Sequence, residues 1–406
     1  MLAHIIAALQ GRSERVVQWQ RALTALPALG PQYGGQGELA KAQYIETELR
    51  RCGVTDIRRV DAPDAAAPCG FRPNIVARVP GKLPRTLWIL AHMDVVPAGD
   101  PALWTTDPWT LDVRGDVLTG RGVEDNQQGI VSGMLLAAAL QEEGVVPDLA
   151  LGLLLVADEE TGNAHGMEYL MREHRDLFAP EDMFVAPDFG APDGAMLEVA
   201  EKHVLWLKFT VTGKQCHGSM PHKGVNAMLA GSDLALRLAA LQDRFPARDP
   251  LFDPPVSTFT PTRREANVPN VNTVPGTDVL YMDCRLLPSC AVRDVLDAAA
   301  EACRAVERER GVSVEMTIAH LLEAAPPTPV ESDVVRRLIP AIANVYGVAA
   351  RPVGVGGSTV ACYLRKAGLP AAVWSRLLSN CHEPNEKSLI SNNIGDAQVF
   401  AHLLFL

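Results

Sequence analysis

The chain has 406 residues, 48 % hydrophobic and 21 % charged, with a net charge of −11 from 37 basic and 48 acidic side chains. That length suggests two large domains, and the balance excludes disordered, collagen-like and coiled-coil chains. No Lys/Arg cluster is present to grip a phosphate backbone, so nucleic acid is not an expected partner. The longest apolar runs, such as 149–157, reach about half a bilayer span, so a membrane is not expected either. Eight cysteines form no C-x-x-C pair, and a chain this long needs no disulfide staples, which points to a reducing, cytoplasmic setting.

The first residues read as the start of an amphipathic helix rather than a secretion signal. Residues 36–52 carry a helical spacing of apolar side chains. Apolar runs at 73–79, 86–91, 151–157 and 183–187 predict buried strands, with a helix rich in Ala, Leu and Met at 127–143. This alternation predicts a largely parallel sheet covered by helices. Residues 202–320 change grammar: strand 204–211, helix 225–242, strands 257–268 and 278–286, helix 292–310 and strand 312–319. That order, β-α-β-β-α-β, is the split ferredoxin-like unit of a small α+β domain. A Pro-rich connector at 325–329 leads back to helix 331–346, strand 351–356, helix 359–367 and strand 370–374. A last helix at 392–405 is expected to be capped by Ser391. The reading is one α/β domain from 1–201 and 321–406, with a smaller domain, 202–320, inserted in it.

Ligands of open α/β sheets bind beyond the carboxyl ends of the strands. There the sequence places His92 and Asp94 after strand 86–91, and Asp158-Glu159-Glu160 after 151–157. It also places Asp188 after 183–187, His382-Glu383 after 370–374, and Asp125 in the loop before helix 127–143. Any one of these alone reads as a turn or cap residue. Five together read as a site, and imidazoles with carboxylates but no thiolate suit zinc, cobalt or manganese.

Five motifs run in order along the chain. They are Leu90-Ala91-His92-Met93-Asp94-Val95-Val96-Pro97, Gly120-Arg121-Gly122 leading to Asp125, and Ala157-Asp158-Glu159-Glu160-Thr161-Gly162. Cys216-His217-Gly218 with Pro221-His222, and His382-Glu383-Pro384-Asn385-Glu386, complete the series. The sequence resembles the M20-type metallopeptidase and amidohydrolase family, the group of succinyl-diaminopimelate desuccinylase, acetylornithine deacetylase, aminoacylase-1 and glutamate carboxypeptidase. The resemblance implies a zinc-peptidase-like mixed sheet flanked by helices, with the inserted α+β domain as lid and dimerisation surface of a homodimer.

It further implies two divalent ions, Zn²⁺ first with Co²⁺ or Mn²⁺ as alternatives, bridged by Asp125. His92 and Asp188 would complete one seat, Glu160 and His382 the other. Asp94 would orient the His92 ring. Glu159 would act as general base, taking a proton from the shared water and passing it to the leaving amine. His217 would polarise the scissile carbonyl from the lid. Asn272, Arg285, Gly357 and Ser358 would hold a substrate carboxylate. The implied substrate is an N-acyl amino acid of amino-acid biosynthesis, with a dipeptidase or carboxypeptidase as the alternative. A catalytically silent metal-binding protein is a third reading, and the intact Glu159 speaks against it. The chain departs from the common pattern at Asn126-Gln127-Gln128-Gly129, Val360 and Cys362, none of them a ligand position.

Overall fold

Eight strands build the main sheet of the computed structural model, which describes residues 1–406. Their order across the sheet is Asp56–Pro63, Phe71–Val79, Ala150–Val156, Thr86–His92, Met183–Ala186, Ala371–Val373, Met196–Glu201 and Arg351–Val355. The sheet is mixed rather than largely parallel. Thr86–His92 runs parallel to both Ala150–Val156 and Met183–Ala186, and Met183–Ala186 runs parallel to Ala371–Val373, whereas the Phe71–Val79 side is antiparallel. The parallel centre is the part that orients chemistry, because its carboxyl ends all leave the sheet on one side.

The strand Thr86–His92 is buried at every position. Such a continuous apolar run needs cover on both faces. The helix Gln127–Glu142 supplies part of it and has 14 of its 16 residues buried. A helix enclosed all round has no need of a polar stripe, which is why this one reads as Ala, Leu and Met with little amphipathic contrast. A small three-stranded sheet of Lys387–Leu389, Val117–Thr119 and Asp112–Arg114 lies outside the sequence expectations.

The last helix spans Ile390–Leu404 and is not capped by Ser391. The Ser391 hydroxyl and N–H both bond the Asp116 carboxylate, and Asp116 also accepts the Ile390 N–H through its backbone oxygen. A distant turn therefore does the work expected of a local cap.

The chain divides into two units, one of residues 1–199, 327–353 and 359–406, the other of 200–326 and 354–358. In the second, the strands Thr258–Arg264, Thr277–Leu286, His203–Thr212 and Ser313–Leu322 lie side by side, all antiparallel. This is the strand order of a ferredoxin-like fold. Helices Ala227–Ala239 and Val292–Arg310 bury Leu234, Leu238, Val295 and Ala299 against Leu205, Leu207, Phe209 and Met282 of that sheet. No helix of the chain is long and apolar enough to cross a membrane.

Candidate metal centre

The parallel strands end together, and the side chains at their ends converge. His92, the last residue of its strand, is 2 % exposed. Its Nε2 lies 2.8 Å from Asp125 Oδ1 and 3.6 Å from Asp188 Oδ1. The other oxygen of Asp125 lies 3.1 Å from Nε2 of His382, which stands 3.1 Å from Glu160 Oε1. Two triads result, His92–Asp125–Asp188 and Asp125–Glu160–His382, with the donor atoms of each within 4.8 Å of one another. Asp125 belongs to both.

Local backbone explains how Glu159 and Glu160 arrive. Asp158 adopts a left-handed conformation, φ 63°, one that Asp tolerates better than most side chains. Its carboxylate accepts hydrogen bonds from the Thr161 hydroxyl and the His165 N–H. The chain then enters a tight 3-10 turn, Glu159–Thr161, instead of continuing as a strand. Asp94 fixes that turn: its two carboxylate oxygens accept the N–H groups of Glu159 and Glu160 at 3.1 and 3.0 Å. The His92 ring rests on Asp94 differently from expectation. Its Nδ1 is closest to the Asp94 backbone oxygen, 3.1 Å, with the carboxylate at 3.5 Å. Asn126 steadies Asp188 with a hydrogen bond of 2.6 Å from Nδ2 to Oδ1.

Two loops carry the remaining members of the triads, and each is held by a carboxylate from the other. Glu386, fully buried, accepts the N–H groups of Gly122, Glu124 and Asp125 together with the Arg121 guanidinium. Glu124 accepts the N–H groups of Leu378, Ser379 and Asn380. In the sequence Glu386 closes the last motif and Glu124 directly precedes Asp125, neither with a role. No local signal distinguishes them, since their partners are backbone groups more than 250 residues away.

The electrostatics show how strongly this arrangement holds positive charge. Burial raises the pKa of Glu159 well above the usual carboxylate range, and the neighbouring carboxylates add to it. Burial and the charge of Asp125 push Glu160 up to about 7. Hydrogen bonds to Asp125 and Glu160 raise His382 to about 10. Burial works against protonation of His92, but the hydrogen bond to Asp125 and the nearby carboxylates of Asp188 and Asp94 raise it well above normal. The same two histidines hold Asp125 well below its usual value against its burial. Clustered carboxylates around the two histidines favour positive charge, and two imidazoles with three carboxylates fit divalent metal ions.

The other residues expected at the site belong to the second unit and form two groups. His217 is exposed on a two-stranded ribbon, where it pairs with Thr273, and Gly218 donates to the Asn272 backbone oxygen at 2.7 Å. A Cβ on Gly218 would fall 2.9 Å from that oxygen, so the close approach requires glycine. Arg285 donates to both oxygens of Asp283, at 2.7 and 2.9 Å, and to the backbone oxygen of Gly356, beside Gly357 and Ser358. Its planar fork is thus already occupied by Asp283.

Fold and donor set together define a metal-dependent hydrolase. Residues 88–405 match the peptidase family M20/M25/M40, and the chain belongs to that family. It is 36 % identical over 418 residues to an uncharacterized metallohydrolase of Methanococcus maripaludis, covering 96 % of this chain and 99 % of that one. Identity to the succinyl-diaminopimelate desuccinylase of Cereibacter sphaeroides is 28 %, over 90 % and 91 % of the two chains. The crystal structure of human carnosine dipeptidase 1 superposes with a TM-score of 0.80, covering 99 % of this chain and 98 % of that one; at 16 % identity this is a likeness of fold.

Proposed function

We propose that the protein hydrolyses the amide bond of N-acyl amino acids with two Zn²⁺ ions, one held by His92, Asp125 and Asp188, the other by Asp125, Glu160 and His382. One observation carries this reading: Glu159, a half-buried carboxylate on the same turn as Glu160, feels the charges of His92, Asp188 and Glu160 and belongs to neither triad. A protein that only binds metal has no use for it. Bound, the ions would polarise the scissile carbonyl and acidify the attacking water.

Glu159 removes the proton from that water and hands it to the leaving nitrogen. Its burial among like charges favours this exchange, because a raised pKa makes a carboxylate a stronger base. His217 polarises the carbonyl, while Asn272, Arg285, Gly357 and Ser358 receive the substrate carboxylate. Arg285 keeps N–H groups beyond the three engaged by Asp283 and Gly356. The likeness to a desuccinylase over 90 % of the chain supports an acylated amino acid as substrate. Association into a homodimer through the second unit belongs to the same reading.

The test is a panel of N-succinyl and N-acetyl amino acids and dipeptides offered to the zinc-loaded protein. Hydrolysis of the acyl amino acids is expected, and Glu159→Gln should lower turnover by about 10²–10⁴-fold with metal content unchanged. Cleavage of dipeptides alone would move the assignment to a dipeptidase. A Gln variant as active as wild type would remove Glu159 from the mechanism.

A further inference from the structure

The two triads are built on unequal foundations. His92 and Asp188 stand at or just after buried strands, whereas His382 sits on the loop 378–386 with its side chain 53 % exposed. Three non-glycine residues of that loop have positive φ: Ser379 at 60°, His382 at 62° and Asn385 at 60°. Side chains rarely adopt this conformation unaided, so the loop's shape depends on contacts from outside it.

Asn385, at the far end, is held by Leu103 and Thr105; the near end, 378–380, is held by Glu124. One of its carboxylate oxygens accepts the N–H groups of Leu378 and Ser379, the latter at 3.2 Å. The other accepts the Asn380 N–H at 2.9 Å and the Asn380 side-chain amide at 2.8 Å. Asn380 in turn donates to the Lys387 backbone oxygen at 3.0 Å, closing the loop behind His382. A single carboxylate therefore holds the stretch 378–380 that leads into His382, and it comes from the residue next to the shared ligand Asp125.

We infer that Glu124 is a positioning residue for the outer ion: it sets the His382 loop, and the seat of Asp125, Glu160 and His382 depends on it while that of His92, Asp125 and Asp188 does not. This rests on the two-ion reading of the site. The two seats share Asp125, whose own N–H is fixed by Glu386 rather than by Glu124. Loss of Glu124 therefore acts on one seat through His382 and leaves the shared ligand in place.

The test is titration of the metal-free protein with Co²⁺, followed by calorimetry and by the visible absorption of the bound ion. Glu124→Ala should bind one ion as wild type does and the second about 10–100-fold more weakly, the range for loss of a group that orients a ligand. Asn380→Asp attacks the same contact from the far side, placing a carboxylate against Glu124 without altering the neighbour of Asp125. It should give the same selective loss. Both ions held as in wild type, or both weakened alike, would overturn the inference.

Amide exchange in the metal-free protein supplies an independent reading. Glu124→Ala should speed exchange at Leu378, Ser379 and Asn380 and leave Gly122 and Asp125 unchanged. A wild-type protein that takes up fewer than two ions refutes the two-ion reading rather than the hold of Glu124 on the loop. The exchange data then decide: faster exchange confined to 378–380 upholds Glu124 as the organiser of the loop, and its absence overturns that too.

Discussion

Lys41 is a buried charge of the first unit. It lies 1 % exposed on the helix Leu39–Arg51, and its Nζ has no hydrogen-bond partner. Burial lowers its pKa to about 8, even though Asp94, Glu38 and Glu386 pull the other way. A base whose pKa falls on folding binds fewer protons folded than unfolded between about 8 and its ordinary 10.5, so stability rises with pH across that window. Below it the folded state bears the full cost of the buried charge; above it, none. At about 1.4 kcal/mol per pKa unit, the swing is on the order of 3 kcal/mol. Lys41→Met removes the titrating group. Urea unfolding of the metal-free proteins should therefore show wild type gaining about that much on the variant between pH 8 and 10.5. A difference independent of pH would mean that the ammonium finds water in the fold.

Among the elements, the central parallel strands combine packing with ligand placement. Trp88 lies opposite Gly152 in the register of Thr86–His92 with Ala150–Val156, and a Cβ at 152 would meet the indole at 2.3 Å. Gly152→Ala should destabilise the fold by about 1–3 kcal/mol through overpacking, read as a lower urea midpoint. An unchanged midpoint would show that the indole can shift. These strands were legible in the sequence because a run buried on both faces is apolar at every position. Asp56–Pro63 was not, since this edge strand mixes arginines and aspartates and is largely exposed. The three-residue strands Asp112–Arg114, Val117–Thr119 and Lys387–Leu389 are too short for any period to register. His92, Asp94, Asp188 and Glu160 stood out because strand ends are where such folds bind ligands, and the motif order of a known family assigned the rest. Glu124 and Glu386 carried no such mark: each acts on backbone N–H groups of a remote loop, which any sequence can supply.

At the scale of the whole molecule, metal loading and protonation compete for the same atoms. His382, raised to about 10, and His92, also raised, hold protons in the metal-free protein at neutral pH, and each must release its proton before a metal can take the nitrogen. Zn²⁺ affinity should therefore climb with pH up to about 10, by about tenfold per unit for each proton displaced. Calorimetry in buffers of different ionisation enthalpy would count those protons, and a heat independent of the buffer would contradict this. The two histidines differ sharply in exposure, 2 % for His92 against 53 % for His382. On the proposed two-ion reading, solvent and chelators thus reach one seat far sooner than the other. A preparation that meets one metal and later another should keep the first behind His92 and renew only the ion at His382. Its final composition would then be a hybrid that records the order of exposure.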